Sequence, residues 1–189
     1  IDAPDLATLL TGIEGQARGA GEVGGTIEHP TLALDLEADG LAWAGEPLGT
    51  LRADVAGVLD DHTARLSLTG GDVEVKLVAS GAWARGVLTE ALDSVQVTVL
   101  DGKPWILRDT ATARLAGADI DITDHCWVSN GAELCLSDAR SDARGFSGAA
   151  DARHFPLASL APWLPDDIGL GGTASAVAII RRDGGRTRG

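Results

Sequence analysis

Thr31–Glu37 reads TLALDLE, and its reading decides the fold class. Leu32, Leu34 and Leu36 fall on one side of an extended chain, opposite Ala33, Asp35 and Glu37. A strand sends successive side chains to opposite faces, so the segment has one oily face and one wet face. Wound as a helix, the same leucines would scatter around the cylinder. The pattern recurs further along the chain. Ala64–Thr69 (ARLSLT) sets Leu66 with Leu68, and Asp72–Leu77 (DVEVKL) sets Val73, Val75 and Leu77 against Asp72, Glu74 and Lys76. Ser94–Val99 (SVQVTV) groups Val95, Val97 and Val99. Asp119–Thr123 (DIDIT) and Glu133–Ser137 (ELCLS) group Ile120 with Ile122 and Leu134 with Leu136.

Gly70-Gly71, Asp101-Gly102 and Asn130-Gly131 fall between the alternating runs, and Asn-Gly and Asp-Gly suit the positive φ of tight hairpins. No helical pattern separates consecutive strands, so the order predicted is an antiparallel meander. Two segments break the alternation. Pro4–Leu10 (PDLATLL) and Pro156–Leu164 (PLASLAPWL) each predict a short amphipathic helix, the first with Pro near its start. Each is followed by a loop and a glycine-rich strand, a weak internal repeat about 154 residues apart when Leu6 is set against Leu160. The 189 residues then hold one full unit and the start of the next, with a unit boundary near 156–165.

Composition agrees with short strands and turns. Twenty Asp against eight Glu, and 25 Gly, favour turns over long helices. The net charge of −13 argues against a nucleic-acid binder or a polybasic clamp for lipid headgroups. A hydrophobic content of 44% excludes a disordered acidic tail and suffices for a sizeable core. Ile168–Ile180 has no acidic or basic side chain, but it is thirteen residues long, against the ~20 apolar residues of a spanning helix. The chain is expected to be soluble, processed or excised from a parent whose anchor was cut away.

No motif specifies a catalyst. Gly19–Gly24 (GAGEVG) matches G-x-G-x-x-G, but a dinucleotide site needs a strand before it and a helix after it. Here the strand TLALDL follows, so a glycine-rich bend or bulge is expected, and Gly169–Ala174 (GLGGTA) falls for the same reason. Gly145–Ala149 (GFSGA) lacks the second glycine of a nucleophile elbow. His29, His62, His125 and His154 lie one per region. A zinc shell of His125, Cys126 and Cys135 would need a spacing that fits no close-paired knuckle. Asp60-Asp61, Asp166-Asp167 and Asp119/Asp121/Asp124 read as solvated faces and turn caps. No cofactor or metal is expected. Trp43, Trp83, Trp105, Trp127 and Trp163 could present a sugar-binding surface, but no two share one strand face at i, i+2. Plugging sheet corners is the favoured role.

The C-terminal half carries a family resemblance. Gly102–Leu107 (GKPWIL), His125–Trp127 (HCW), Ala132–Leu136 (AELCL), Phe155–Leu157 (FPL), Ala161–Pro165 (APWLP) and Leu170–Thr173 (LGGT) together resemble the TamB proteins. These are inner-membrane subunits of the translocation and assembly module of Gram-negative bacteria, related to AsmA-like, bridge-like lipid transfer proteins. The resemblance is best over residues 100–175 and weaker over 1–100, where Gly25–Pro30 (GTIEHP) shares the look of a strand start. It implies a periplasmic, non-enzymatic rod anchored in the inner membrane, of which this chain is an internal slice. The rod would move phospholipid, or chaperone outer-membrane β-barrel proteins with an Omp85-class partner reached through other parts of the parent.

The expected fold is therefore all-β: an elongated, curled antiparallel sheet forming an open β-trough with an apolar concave face, plus one or two short helices. A sheet with one oily face must cover it or fill it, and the sequence offers little for a second layer. Candidates to line a groove for acyl chains are Leu32, Leu34, Leu36, Leu66, Leu68, Val73, Val75, Leu77, Val95, Val97, Val99, Ile120, Ile122, Leu134 and Leu136. Strand addition to nascent barrel proteins and a carbohydrate-binding or adhesin-like module are the competing readings. A two-residue turn at Asn130-Gly131 would set Cys126 opposite Cys135, bonded in an oxidising periplasm or else packed as reduced thiols. Raw strand edges at both ends predict edge-to-edge self-association.

Overall fold

The computed structural model describes residues 2–8, 12–26, 30–100, 102–163, 165, 169–183 and 186–188. Fifteen strand segments form a single antiparallel sheet. The first seven are β1 (Asp2–Ala3), β2 (Ile13–Gly25), β3 (Pro30–Trp43), β4 (Glu46–Val58), β5 (Asp61–Gly70), β6 (Val73–Ala84) and β7 (Val87–Val99). Then come β8 (Trp105–Leu107), β9 (Ala111–Ala116), β10 (Asp119–Ile122) and β11 (His125–Ser129). β12 (Ala132–Asp142), β13 (Gly145–Pro156), β14 (Thr173–Asp183) and β15 (Arg186–Arg188) complete the order.

The sheet is a meander with one elaboration. β8 and β9 both pair with β7, while β11 and β10 both pair with β12. Each couple is one interrupted strand, so fifteen segments occupy thirteen positions. Across the break, the Thr123 N–H donates to the Thr112 carbonyl at 3.0 Å and the Arg108 N–H to the Cys126 carbonyl at 2.8 Å. The backbone groups freed by the interruption are thereby satisfied.

Every described alternating run lies in a strand, and the strands extend well beyond the runs that announce them. Asn130 and Gly131, at φ of 45° and 86°, make the two-residue turn between β11 and β12. Gly70 closes β5 and Gly71 lies in the turn to β6; Asp101 is outside the described residues. The glycines of 19–24 correct one expectation. They run straight through the middle of β2, and the register shift falls at Gly15 instead. Glycine serves there because Leu36 and Leu34 of β3 lean over positions 19 and 21. A Cβ on Gly19 would stand 2.7 Å from the Asp35 carbonyl oxygen.

The two expected helices are present as short 3-10 helices, Leu6–Thr8 of one turn and Leu157–Trp163 of seven residues; Leu9, Leu10 and Leu164 lie outside the described residues. In the first, the Asp5 carboxylate accepts from the Ala7 N–H at 2.9 Å, an Asx turn in place of a helical bond. In the second, Pro162 has no N–H to give, and Pro156 belongs to β13. Both turns bridge register partners, Ala3 with Ala17 and Pro156 with Thr173.

The sheet curls toward one face. Trp105 of β8 and Phe155 of β13 are three strand positions apart, about 14 Å on a flat sheet. Their rings nevertheless stack with centroids 5.8 Å apart. Packing on this face gathers in two clusters. Ala3, Ala17, Ala38 and Leu41 are buried under Leu6 and Ile13, and Val95, Leu107 and Ala111 form the second group. Among the described residues no second layer crosses the face between them.

Candidate functional site

Register partners in an antiparallel sheet share a face, so the pairings trace rows of side chains across the strands. One row runs Gly19, Leu36, Ala53, Leu66, Leu77, Val95 from β2 to β7. Val95 packs on Leu107, and the row continues through Trp127, Leu134, Ala152 and Ala176. It crosses eleven strands without a charged or polar side chain. A flanking row joins Ala17, Ala38, Leu51, Leu68, Val75, Val97 and Trp105. On the other side Gly21, Leu34, Val55, Ala64, Ala79, Leu92 and Ala111 do the same.

All fifteen sequence-selected residues lie on this face. Leu32 pairs with Val23 and Gly57, and Val73 with Val99. Ile120 pairs with Leu115, Ile122 with Ala113, and Leu136 with Ala150. Small residues stand opposite large ones: Ala53 lies between Leu36 and Leu66. The result is a shallow apolar surface instead of a filled core. Most of its side chains are half-buried against one another.

A polar pair interrupts the face between β5 and β7, and nothing in the local sequence announces it. His62 of β5 and Glu90 of β7 lie on opposite sides of Gly81 in β6, each its register partner. The His62 Nε2 meets Glu90 Oε1 at 2.6 Å, with His62 only 8% exposed. Contact across a whole strand requires an empty middle position: a Cβ on Gly81 would lie 2.5 Å from the Glu90 carboxylate. The second oxygen of Glu90 is buried without a partner among the described residues.

The opposite face is polar. A hollow of about 760 Å³ on it is lined by Arg18, Asp35, Glu37, Asp39, Arg52 and Asp54 among others. Hydrogen bonds from Arg18 and Arg52 hold the Glu37 carboxyl below the usual range. Asp35 faces Asp54 directly, and the hydrogen bond between the two carboxyls, then burial and the Asp54 charge, push Asp35 up.

Cys126 and Cys135 are register partners on the polar face, joined by a disulfide. His125 alternates to the apolar face, where its Nδ1–H donates to the Thr123 carbonyl at 2.8 Å. These three residues therefore form no common shell. The Glu133 carboxylate lies beside the sulfurs but is engaged by Arg108 and Arg153. The tryptophans build no shared platform. Trp105 stacks on Phe155, Trp127 meets His125 edge-on at 6.1 Å, and Trp43 and Trp83 lie at hairpins on opposite ends of the strands. The side chain of Trp163 is outside the described residues.

The sequence model of a known family, described as TamB, N-terminal domain, matches residues 44–185. No solved structure matches the chain significantly.

Proposed function

Taking as premise that the chain belongs to the TamB family, we propose that its apolar face carries phospholipid acyl chains, as a non-enzymatic segment of a bridge across the periplasm. The observation that carries this reading is the uncharged row from Gly19 to Ala176, on a face that the Leu6–Thr8 helix covers at one end and no second layer of described residues crosses beyond it. Ten strand spacings amount to about 48 Å of apolar track before curling. A bilayer core of ~30 Å gives each leaflet about 15 Å, so the track is some three leaflet depths long. The acidic outer face keeps such a segment from adhering to anionic headgroups. The parent would be anchored in the inner membrane and meet its Omp85-class partner through regions outside this chain. The matching strand–turn–strand arrangements at both ends favour a unit boundary near 156–165.

The test is organic extraction of the purified chain with mass spectrometry of what co-purifies. Phospholipid in stoichiometric amount is expected, and a chain that emerges empty and captures no labelled lipid would sink the reading. A second reading, strand addition to nascent barrel proteins, is favoured by one observation. β14 pairs with β15 only over Arg181–Asp183, leaving Thr173–Ile180 without a described neighbour on that side. Photocrosslinking from Ala178 to an unfolded barrel protein would separate the two.

A further inference from the structure

Arginines on the polar face are repeatedly satisfied in threes: a carboxylate on a middle strand, with an arginine on either side. Glu37 of β3 stands between its register partners Arg18 and Arg52, at 2.8 and 2.7 Å. Asp121 of β10 stands between Arg114 and Arg140, at 3.7 and 4.0 Å. Glu133 of β12 takes its partner Arg153 at 3.8 Å, and Arg108 from the other side. The row through Arg140 then continues into a fourth such set. Arg140 is the register partner of Ser147 in β13, and Ser147 is that of Arg181 in β14. The register is the same as in the Glu37 and Asp121 sets, but the middle position has a hydroxyl and no negative charge.

Among the described side chains, none replaces that charge at the middle position. Arg140, Ser147 and Arg181 line one hollow of about 330 Å³ with Asp142 and Arg144. Asp142 is committed elsewhere: one oxygen takes the Arg144 guanidinium, and the other the N–H groups of Arg144 and Gly145. Arg181 makes no ion pair among the described residues, and its register partner on the far side is another arginine, Arg188. The local balance also differs from the rest of the chain. Residues 139–189 carry seven Arg against five Asp, whereas residues 1–138 carry eight basic and twenty-three acidic side chains.

We propose that Arg140, Ser147 and Arg181 form an anion site that takes a phosphate group. Two arginines flanking a short side chain leave a gap about two strand spacings, roughly 10 Å, across. A phosphate above Ser147 accepts from both guanidinium forks and from the hydroxyl, supplying the charge that Glu37, Asp121 and Glu133 supply elsewhere. The phosphate belongs either to a soluble compound or to a phospholipid headgroup at a membrane surface. The site lies on the face opposite the apolar track, so it stands or falls independently of the lipid reading.

The test is calorimetric titration of the whole chain with inorganic phosphate at low salt, with thermal melts of the variants. Saturable binding is expected, about tenfold weaker in Arg181→Gln and Arg140→Gln, since each removes a charge-assisted bond. Ser147→Glu should abolish phosphate binding and raise Tm by completing the set, while the uncharged Ser147→Gln should not raise it. Phosphate binding that is absent, or indifferent to Arg181→Gln, overturns the proposal. So does a Ser147→Glu chain no more stable than Ser147→Gln. Flotation with phosphatidylglycerol and phosphatidylcholine vesicles distinguishes the sources. Capture by phosphatidylglycerol alone, lost in Arg181→Gln, assigns a membrane headgroup; phosphate binding without capture assigns a soluble phosphate.

Discussion

β3 and β14 are long strands of the same sheet, yet they distribute their apolar residues in different ways. β3 turns Leu32, Leu34, Leu36 and Ala38 to the curled face and Asp35, Glu37 and Asp39 to water. β14 is apolar on both sides over its middle, with Ala176, Ala178 and Ile180 inward and Val177 and Ile179 outward, the latter two 73% and 69% exposed. β3 has hydrogen-bonded neighbours along both edges, whereas β14 has one full neighbour and a short one. A one-sided strand belongs to a surface with solvent behind it. A strand apolar on both sides, with an edge unpaired among the described residues, has the features on which another strand can add.

The comparison would break most visibly if the one-sided region proved to be an ordinary closed core. Val97→Arg puts a charge on the inner face between Val75 and Trp105. On an open trough the long side chain reaches water, so the chain should keep its β-sheet circular dichroism and lose most labelled-lipid capture. In a closed core the same change unfolds the domain by several kcal/mol. Gln96→Arg, on the polar face, should shift stability by no more than about 0.5 kcal/mol. Intact folding with undiminished capture would remove Val97 from the track.

The next effect concerns the bond that pins β11 to β12. Closing a loop this short contributes about 2–3 kcal/mol, so Cys126→Ala with Cys135→Ala should lower Tm accordingly. Wild-type protein melted in reductant should match the double variant. Two reactive thiols in unfolded, non-reduced protein would count against the bond. Smaller still in stability, though not in assembly, is Ile179→Lys. A lysine on an edge strand discourages pairing, so concentration-dependent association of the wild type should fall toward monomer in light scattering while Tm barely moves. A wild type that stays monomeric at high concentration would remove the contrast.

How much of this was legible in the sequence depends on how many strands each feature needs. β3, β5, β6 and the last part of β7 declare themselves because their inner positions are large and their outer ones polar. β4 and β13 do not, since their inner positions include Ala53, Gly57, Gly148 and Ala150, whose value lies in what stands opposite. The cysteine pairing could be read because one two-residue turn fixes the register over five residues on each side. The His62–Glu90 contact could not, because it spans 28 residues of sequence and depends on Gly81 in the strand between. The same holds for the arginine sets, where Arg18, Glu37 and Arg52 meet only once three registers are known. The two short helices were legible from their leucine spacing, but their 3-10 winding was not, because that spacing does not register the Asp5 turn bond in the first or the missing N–H of Pro162 in the second.

The smallest effect distinguishes two neighbouring positions on the polar face of β3. Glu37 lies between two arginines, and its carboxyl is held low. Asp35, two residues away on the same face, lies against Asp54 and is held high. The signs are opposite. The stabilisation from Glu37 is present above the ordinary glutamate range and fades as pH falls through its lowered folded value. That from Asp35 is present in acid, where a proton is shared with Asp54, and is lost as pH rises through its raised folded value. Asp54→Asn replaces two like charges with an amide that donates to Asp35, so it should raise Tm at pH 7 and less so at pH 3. Glu37→Gln should lower Tm at pH 7, with the loss shrinking in acid. Both positions are well solvated, so the shifts are small and must be read as differences between pH values in paired melts. An Asp54→Asn gain of equal size at both pH values would mean that the two carboxyls do not share a proton.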